Sequence, residues 1–350
     1  MINPDQILDL LPADRPGRLL NVQPMPGDAS NRRYYRVTVA HVLDTVSYIV
    51  MELAAPEAFK QSEEKVTQNA APAELPFVNI HRSLAAAHIN VPAVYRYDAE
   101  RGLLLLEDLG DLTLERAAST AAPEPLRALY RHAVDELVRL HDAGTRRLEP
   151  GCIARRRSFD VPLLLWEFNH FVEFALESQR PLRAPDRRVL EQTFSAIAHE
   201  LAALPQVLTH RDFHSRNLMV QGEQIRVLDF QDALMGPRVY DLASLLRDSY
   251  VTLPEAVIVE SIARYLEASG LPRSVADGAA FRRLFDLMSI QRNLKAAGRF
   301  HHIDQVKHNN RFLQYVPRTL GYVRDNLARY PELKAAGAVL ADCVGMLKTV

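Results

Sequence analysis

Two short stretches hold the side chains best suited to chemistry: His210-Arg211-Asp212-Phe213-His214-Ser215-Arg216-Asn217, and Asp229-Phe230-Gln231. The first has the form H-R-D-x-x-x-x-N, and the second follows it at the distance of a short hairpin. A loop carboxylate such as Asp212 can orient an attacking hydroxyl and receive its proton. Asn217 and Asp229 offer oxygen ligands, which suit a hard cation such as Mg²⁺. These are the parts that metal-assisted phosphoryl transfer to an alcohol requires. Alone, His-Arg-Asp reads as a solvated turn and Asp-Phe as loop punctuation. The composite of residue types, spacings and hairpin is much harder to obtain by chance.

His210 and His214 are four apart, as two zinc ligands on a helix would be. Strand-like Val207-Leu208 precedes them, however, no Glu stands between them as a general base, and no third ligand is evident. Zinc hydrolysis is therefore disfavoured, and His210 is read as a loop-bracing histidine bonded to backbone. Asp241, beside Leu242 and Leu245, is read as a carboxylate bracing the same loop. Earlier, Pro26-Gly27-Asp28-Ala29-Ser30-Asn31-Arg32 fits the place of a phosphate-holding element, because small residues let backbone N–H groups approach phosphate oxygens. The same segment also reads as an ordinary turn. No G-x-x-x-x-G-K-[ST] occurs, which excludes a P-loop NTPase, and no G-x-G-x-x-G, which argues against a Rossmann dinucleotide site.

Two kinds of sequence must position these groups. Residues 20–107 are short-period and β-rich. Strands are predicted at 34–39 and 46–51 with a hairpin link at 40–45, and at 94–97 and 103–106 around 98–102. Between the pairs, 77–88 reads as a helix with Phe77, Ile80, Leu84 and Ala87 on one face, stopped at Asn90-Val91-Pro92. From Leu109 the chain is mostly helical. In 125–144, Leu126, Leu129, Tyr130, Ala133, Val134, Leu137 and Leu140 keep the 3.6-residue period. Further helices are expected at 163–176, 187–203, 240–248, 254–268, 278–297 and 309–326. The β interruption at 207–230 carries the motif. Its strands 218–220 and 225–228, joined by Gln221-Gly222-Glu223-Gln224, form a hairpin that folds Asp229 back beside Asp212 and Asn217. The prediction is an α+β fold, with a small antiparallel-sheet lobe over 1–107 and a larger, mostly helical lobe over 108–350.

The composition agrees with a folded chain: 350 residues, 48% hydrophobic and 24% charged. Lys and Arg number 42 against 43 Asp and Glu, a net charge of −1. That balance removes nucleic acid and anionic membrane as default partners, since both select for clustered positive charge. No apolar run approaches the ~18 residues that cross a bilayer. The start, with Asp5 and Asp9, lacks the basic and apolar regions of a signal peptide. Cys152 and Cys343 lie far apart, so a cytoplasmic protein with reduced thiols is expected, and it is taken as a monomer.

The chain resembles the aminoglycoside phosphotransferase (choline kinase-like) superfamily from about Gly27 to Asp248. The resemblance includes Gly236-Pro237-Arg238-Val239-Tyr240-Asp241-Leu242-Ala243 after the motif. More closely, it is similar to the bacterial anomeric sugar kinases of cell-wall recycling. The residues behind this narrower likeness are Gly27-Asp28-Ala29-Ser30-Asn31-Arg32-Arg33-Tyr34-Tyr35-Arg36, the motif stretch, and Gln291-Arg292-Asn293-Leu294-Lys295-Ala296-Ala297-Gly298. The resemblance implies a bilobal protein-kinase-like fold, ATP and Mg²⁺, and phosphorylation of the C1 hydroxyl of N-acetylmuramic acid and N-acetylglucosamine. It makes Asp212 the base, Asn217 and Asp229 the metal ligands, and Gly27 to Arg32 the phosphate loop. Adenine would lie against Glu107-Asp108-Leu109.

Sugar contacts are assigned to Glu167, Gln231, Arg292 and Lys295. Arg292 and Lys295 share a helical face, which either meets the lactyl carboxylate of a muramic acid or is a solvated basic face. Trp166 is expected in the core, Glu167 facing the cleft, and His301-His302 in a loop. Two departures stand out. Met51 occupies the place of the strand lysine usual in this fold, and Phe77 lies near the place of its glutamate partner; Arg32 or Arg33 could replace the lost charge. Gln231 also stands where D-F-G has glycine. Two other functions fit the motifs: a kinase for another small metabolite or an aminoglycoside, and a nucleotide-binding pseudokinase scaffold. The basic stretch 291–299 counts against cationic antibiotics.

Overall fold

The computed structural model describes residues 2–25, 32–53, 74–179, 181–271 and 278–345. The chain divides into two compact units, Met1–Asn69 with Val91–Asp111, and Ala70–Asn90 with Leu112–Val350.

The first unit contains α1 (Pro4–Asp9), β1 (Arg18–Pro24), β2 (Arg33–Ala40), β3 (Thr45–Glu52), β4 (Val94–Asp98) and β5 (Leu103–Glu107). The five strands form an antiparallel sheet in the order β1-β2-β3-β5-β4. Along β2, Tyr35, Val37 and Val39 are buried while Tyr34, Arg36 and Thr38 are half-exposed, the period-2 alternation of a strand with one covered face. Tyr48, Val50, Leu103 and Leu105 join them, and α1 closes this core with Ile7 and Leu10. Leu103 to Leu106 are all buried, so β5 reads as an unbroken apolar run. The predicted 40–45 link closes as a hairpin, with Ala40 paired to Thr45. Neither α1 nor the start of β1 is legible in the sequence: β1 is an edge strand in which only Leu19 and Val22 are half-buried, too little for a periodic signal.

The second unit begins with α2 (Pro76–Ala86), whose Phe77 ring packs 4.8 Å from Phe230. Then come α3 (Leu114–Thr120), α4 (Pro123–Arg139), α5 (Val161–Phe171) and α6 (Ala184–Ala202). Next lie β6 (Gln206–Thr209), the hairpin β7 (Leu218–Gln221) with β8 (Gln224–Val227), and β9 (Leu234–Pro237), which pairs antiparallel with β6. α7 (Val239–Leu246), α8 (Glu255–Ala268), α9 (Gly278–Lys307), α10 (Val316–Arg329) and α11 (Lys334–Cys343) complete it.

Several expectations are corrected. α4 gives way to a π turn at Leu140–Gly144, and α5 to another at Val172–Glu177. The predicted helix 309–326 splits into a 3₁₀ turn, Asn310–Tyr315, and α10, whose start is set by Pro317 in its first turn. α9 does not end at Ala297, so His301 and His302 are helical; Phe300 and Ile303 are buried and carry the helix face past Gly298. Trp166 is half-exposed, its ring stacked 5.4 Å from His170. Both cysteines are free thiols. Among the described residues, no helix is long and apolar enough to cross a membrane.

Residues Phe285 to Leu294 of α9 are buried all round, although Asp286, Ser289, Gln291, Arg292 and Asn293 are polar. Polar groups in such a helix need partners, and those of Gln291 and Arg292 lead to the site.

Candidate active site

The loop between β6 and β7 holds the whole H-R-D-x-x-x-x-N motif. Two carboxylates fix its backbone. Asp241, fully buried on α7, accepts from His210 N–H at 2.6 Å and Arg211 N–H at 2.9 Å. Asp248 accepts from Ser215 N–H at 2.9 Å through Oδ2, and from Tyr250 N–H at 2.9 Å through Oδ1. Asp241 in turn lies 3.3 Å from His141 Nε2, which the π turn after α4 delivers into the core. The brace by Asp241 was legible in the sequence; that by Asp248 was not.

The loop is bent where chemistry is expected. Arg211 has φ +79° and Asp229 φ +60°, left-handed conformations costly for non-glycine residues and retained only when the surroundings enforce them. The His210 ring enforces the geometry at both places. Its Nδ1 accepts from Asp212 N–H at 3.2 Å, so Nε2 carries the proton and donates to Leu228 O at 2.7 Å. Both ring nitrogens are thus committed to the main chain and not to a metal. Leu228 N–H also donates to Asn217 O at 2.8 Å, closing the hairpin base and setting Asp229 close to Asn217.

Asn217 Nδ2 donates to Asp212 O at 3.0 Å, which fixes the amide with its oxygen on the other side. Asp229 Oδ1 accepts from Gln231 Nε2 at 2.9 Å, and the buried Gln231 Oε1 has no partner among the described residues. Two hard oxygen donors beside an orphaned buried oxygen fit a Mg²⁺ ion and its water. Asn217 and Asp229 would be its ligands.

The Asp212 carboxylate is about two-fifths exposed, with Lys295 Nζ 3.7 Å from its Oδ1. Burial alone would raise its pKa. The charges of Lys295, His214, Arg292 and Arg211 outweigh burial and hold the carboxyl well below the usual range. Burial pushes His214 itself down to about 4, so at neutral pH the cations acting on Asp212 are Lys295, Arg292 and Arg211.

Behind Asp212 lies Glu167 of α5, fully buried. It accepts from Gln291 Nε2 at 2.8 Å, Arg211 Nη2 at 3.3 Å and Tyr240 Oη at 3.4 Å, with Lys295 Nζ at 4.0 Å. Arg292 donates from Nε to Ser244 Oγ at 2.9 Å, and its buried Nη1 has no partner among the described residues. Arg292 and Lys295 therefore do not form a solvated face; one is buried and the other about nine-tenths so. Such burial of charge requires pairing, and for Lys295 Glu167 and Asp212 supply it. The sequence gives Arg211 no role of its own within the motif, and no role to Tyr240 or Ser244, because a composite motif marks a loop and not what its side chains reach behind it.

Of the nucleotide residues expected from the sequence, Gly27, Asp28, Ala29, Ser30 and Asn31 lie outside the described residues, and Arg32 just inside them. Glu107 ends β5, and its carboxylate accepts from Ala93 N–H at 2.9 Å; Leu109 is buried. Met51 is fully buried and Phe77 nearly so, which explains why neither position carries a charge. Arg33 lies 3.3 Å from Glu52.

The geometry agrees with the comparisons to known proteins. The N-acetylmuramate/N-acetylglucosamine kinase of Neisseria meningitidis serogroup B is 34% identical over 324 residues, covering 91% of this chain and 89% of that protein. That of Pseudomonas putida is 33% identical, covering 90% and 86%. Among solved structures, choline kinase from Cryptosporidium parvum superposes with a TM-score of 0.60 at 13% identity, over 91% of this chain and 93% of that one. At that identity the likeness speaks for the fold alone, the protein-kinase-like arrangement of a small antiparallel sheet and a mainly helical remainder. Residues 21–284 match the Phosphotransferase enzyme family (APH), and the chain belongs to that family.

Proposed function

We propose that the chain is an ATP-dependent kinase that phosphorylates the anomeric C1 hydroxyl of N-acetylmuramic acid and N-acetylglucosamine. It would act in the cytoplasm, in peptidoglycan recycling. Asp212 carries this reading: it is reachable by solvent, held ionised by neighbouring cations, and fixed in a loop braced by Asp241 and His210. A carboxylate whose basicity is so lowered is a weak general base. It suits an acceptor hydroxyl more acidic than an ordinary alcohol, and an anomeric hydroxyl is one because the ring oxygen withdraws electrons. The names of the two bacterial relatives point to the same substrates.

In this mechanism Asp212 orients the C1 hydroxyl for in-line attack and receives its proton. Mg²⁺ on Asn217 and Asp229 would neutralise phosphate charge. Residues 1–107 would contribute nucleotide contacts through Gly27 to Arg32, Glu107 and Leu109, and 108–350 the catalytic loop and the sugar contacts of Gln231 and Arg292, with Glu167 and Lys295 beside them. Glu167 would act indirectly, since its carboxylate is already engaged by protein donors.

Release of ADP across a panel of amino sugars, sugars and aminoglycosides tests the reading, with NMR locating the new phosphate on the product. Turnover with the N-acetylated sugars and a C1 phosphate is expected. Binding of Mg-ATP without turnover of any sugar would sink it in favour of a pseudokinase.

A further inference from the structure

We propose that Lys295 is the cation that stabilises the phosphoryl group during its transfer to the hydroxyl held by Asp212. The proposal rests on the kinase reading. α9 brings Nζ to 3.7 Å from Asp212 Oδ1 and 4.0 Å from Glu167 Oε1, with the side chain only 12% exposed. Both separations fall within ion-pair range but exceed a hydrogen bond. A largely buried ammonium has three N–H donors, and Lys295 spends none of them on these two carboxylates. It is positioned by them and keeps its donors for a third anionic partner.

That partner must sit where the acceptor hydroxyl meets its electrophile, because Asp212 Oδ1 marks that place. In the step, the hydroxyl oxygen forms a bond to the γ-phosphorus of ATP and its proton passes to Asp212. The bond from the γ-phosphorus to the bridging oxygen breaks, and its electron pair leaves on ADP. The negative charge of the transferring group is spread over its three equatorial oxygens, and a fixed ammonium beside them in a poorly solvated site acts strongly. Arg292 is tied through Nε to Ser244 Oγ, which leaves its Nη1 for the acceptor.

The test compares the full chain with Lys295→Met and Lys295→Arg, using Mg-ATP and two acceptors, neutral N-acetylglucosamine and carboxylate-bearing N-acetylmuramic acid. The Met variant should lose about 10²–10³-fold in kcat with both acceptors while KM for each stays within about threefold, and Arg should restore part of the loss. Should the Met variant fail to melt cooperatively, Lys295→Gln is read in the same way. An unchanged kcat with KM raised only for N-acetylmuramic acid would make Lys295 a ligand of the acceptor carboxylate and overturn the proposal. A kcat retained with both acceptors would overturn it as well. Absence of turnover by the unaltered chain overturns the kinase reading itself, a result distinct from an active chain indifferent to Lys295.

Discussion

Asp212 sits among more cations than it needs for pairing, and this sets what replacing it should do. Asp212→Asn keeps the size and loses the proton acceptor, so kcat should fall by about 10²–10⁴-fold. Mg-ATP binding, measured by calorimetry, should persist because Asn217 and Asp229 remain; a variant that keeps nearly full activity would remove Asp212 as the base. His214 gives the residue scale a pH signature. Its pKa falls from an ordinary 6.5 to about 4 on folding, so between those values the unfolded chain binds a proton that the folded chain does not. Stability conferred by the neutral ring is therefore complete above about pH 6.5 and declines as pH falls toward 4, by at most ~1.4 kcal/mol per unit. Urea unfolding at pH 5 and 7 should show this loss, and His214→Gln should reduce it. An identical pH dependence in the variant would contradict the assignment. At this scale the sequence was readable where residue types and spacing coincide, as at Asp212, Asn217 and Asp229. Lys295 was ambiguous, because a lysine at helical spacing looks alike on a solvated face and beside a buried Glu167.

The element that settles that ambiguity is α9. An ideal Cβ on Gly298 would lie 2.6 Å from Phe171 Cα and 2.8 Å from Phe171 N, so glycine alone permits this close crossing of α9 over the end of α5. The obstructing atoms are backbone and cannot swing aside. Gly298→Ala should therefore push the helices apart and cost about 1–3 kcal/mol, read as a lower melting temperature. Since Lys295 lies three residues earlier on the same helix and Glu167 on α5, kcat of the surviving folded enzyme should fall too. Gly321 on α10 is the contrast: nothing lies within 4 Å of its would-be Cβ, and Gly321→Ala should stabilise by ~0.5–1 kcal/mol with kcat unchanged. Equal effects at the two glycines would refute the crossing argument. The unbroken period of Leu126 to Leu137 made α4 legible, and the β7–β8 hairpin was legible from its glycine turn. The π turns after α4 and α5 were not, because an extra residue per turn leaves the apolar pattern nearly intact while rotating the residues beyond it. His141 reaches Asp241 by that rotation. Of the β6–β9 pair, β6 showed as the strand-like Val207-Leu208, whereas β9 stayed hidden, since its four residues show no period and no hairpin turn links it to its partner.

Across the whole molecule, 42 basic and 43 acidic side chains nearly cancel, yet the second unit gathers Arg211, Arg292 and Lys295 around Glu167 and Asp212. Composition could report the first fact and not the second, since the sign of a site is set by which few charges the fold brings together. The change in periodicity near residue 109 reads as the border between a sheet lobe and a helical lobe; by contacts, α2, which precedes that border, groups with the second unit and packs against Phe230. The contrast between a neutral whole and a cationic interior predicts how ionic strength should act. A long-range field that steers anionic substrates is screened over ~8 Å at physiological salt, and enzymes relying on it lose rate steeply as salt rises. Here the net charge of −1 offers no such field, and the cations near Asp212 are mostly buried, where mobile ions screen them little. With free Mg²⁺ and ATP held saturating, kcat/KM for neutral N-acetylglucosamine should change less than about threefold between roughly 0.05 and 0.3 M KCl. N-acetylmuramic acid should show nearly the same flat response if its carboxylate meets buried Arg292, and a steep fall if it meets exposed arginines instead. A tenfold loss for both sugars would mean that surface charge governs capture, and the local account of the site would have to be abandoned.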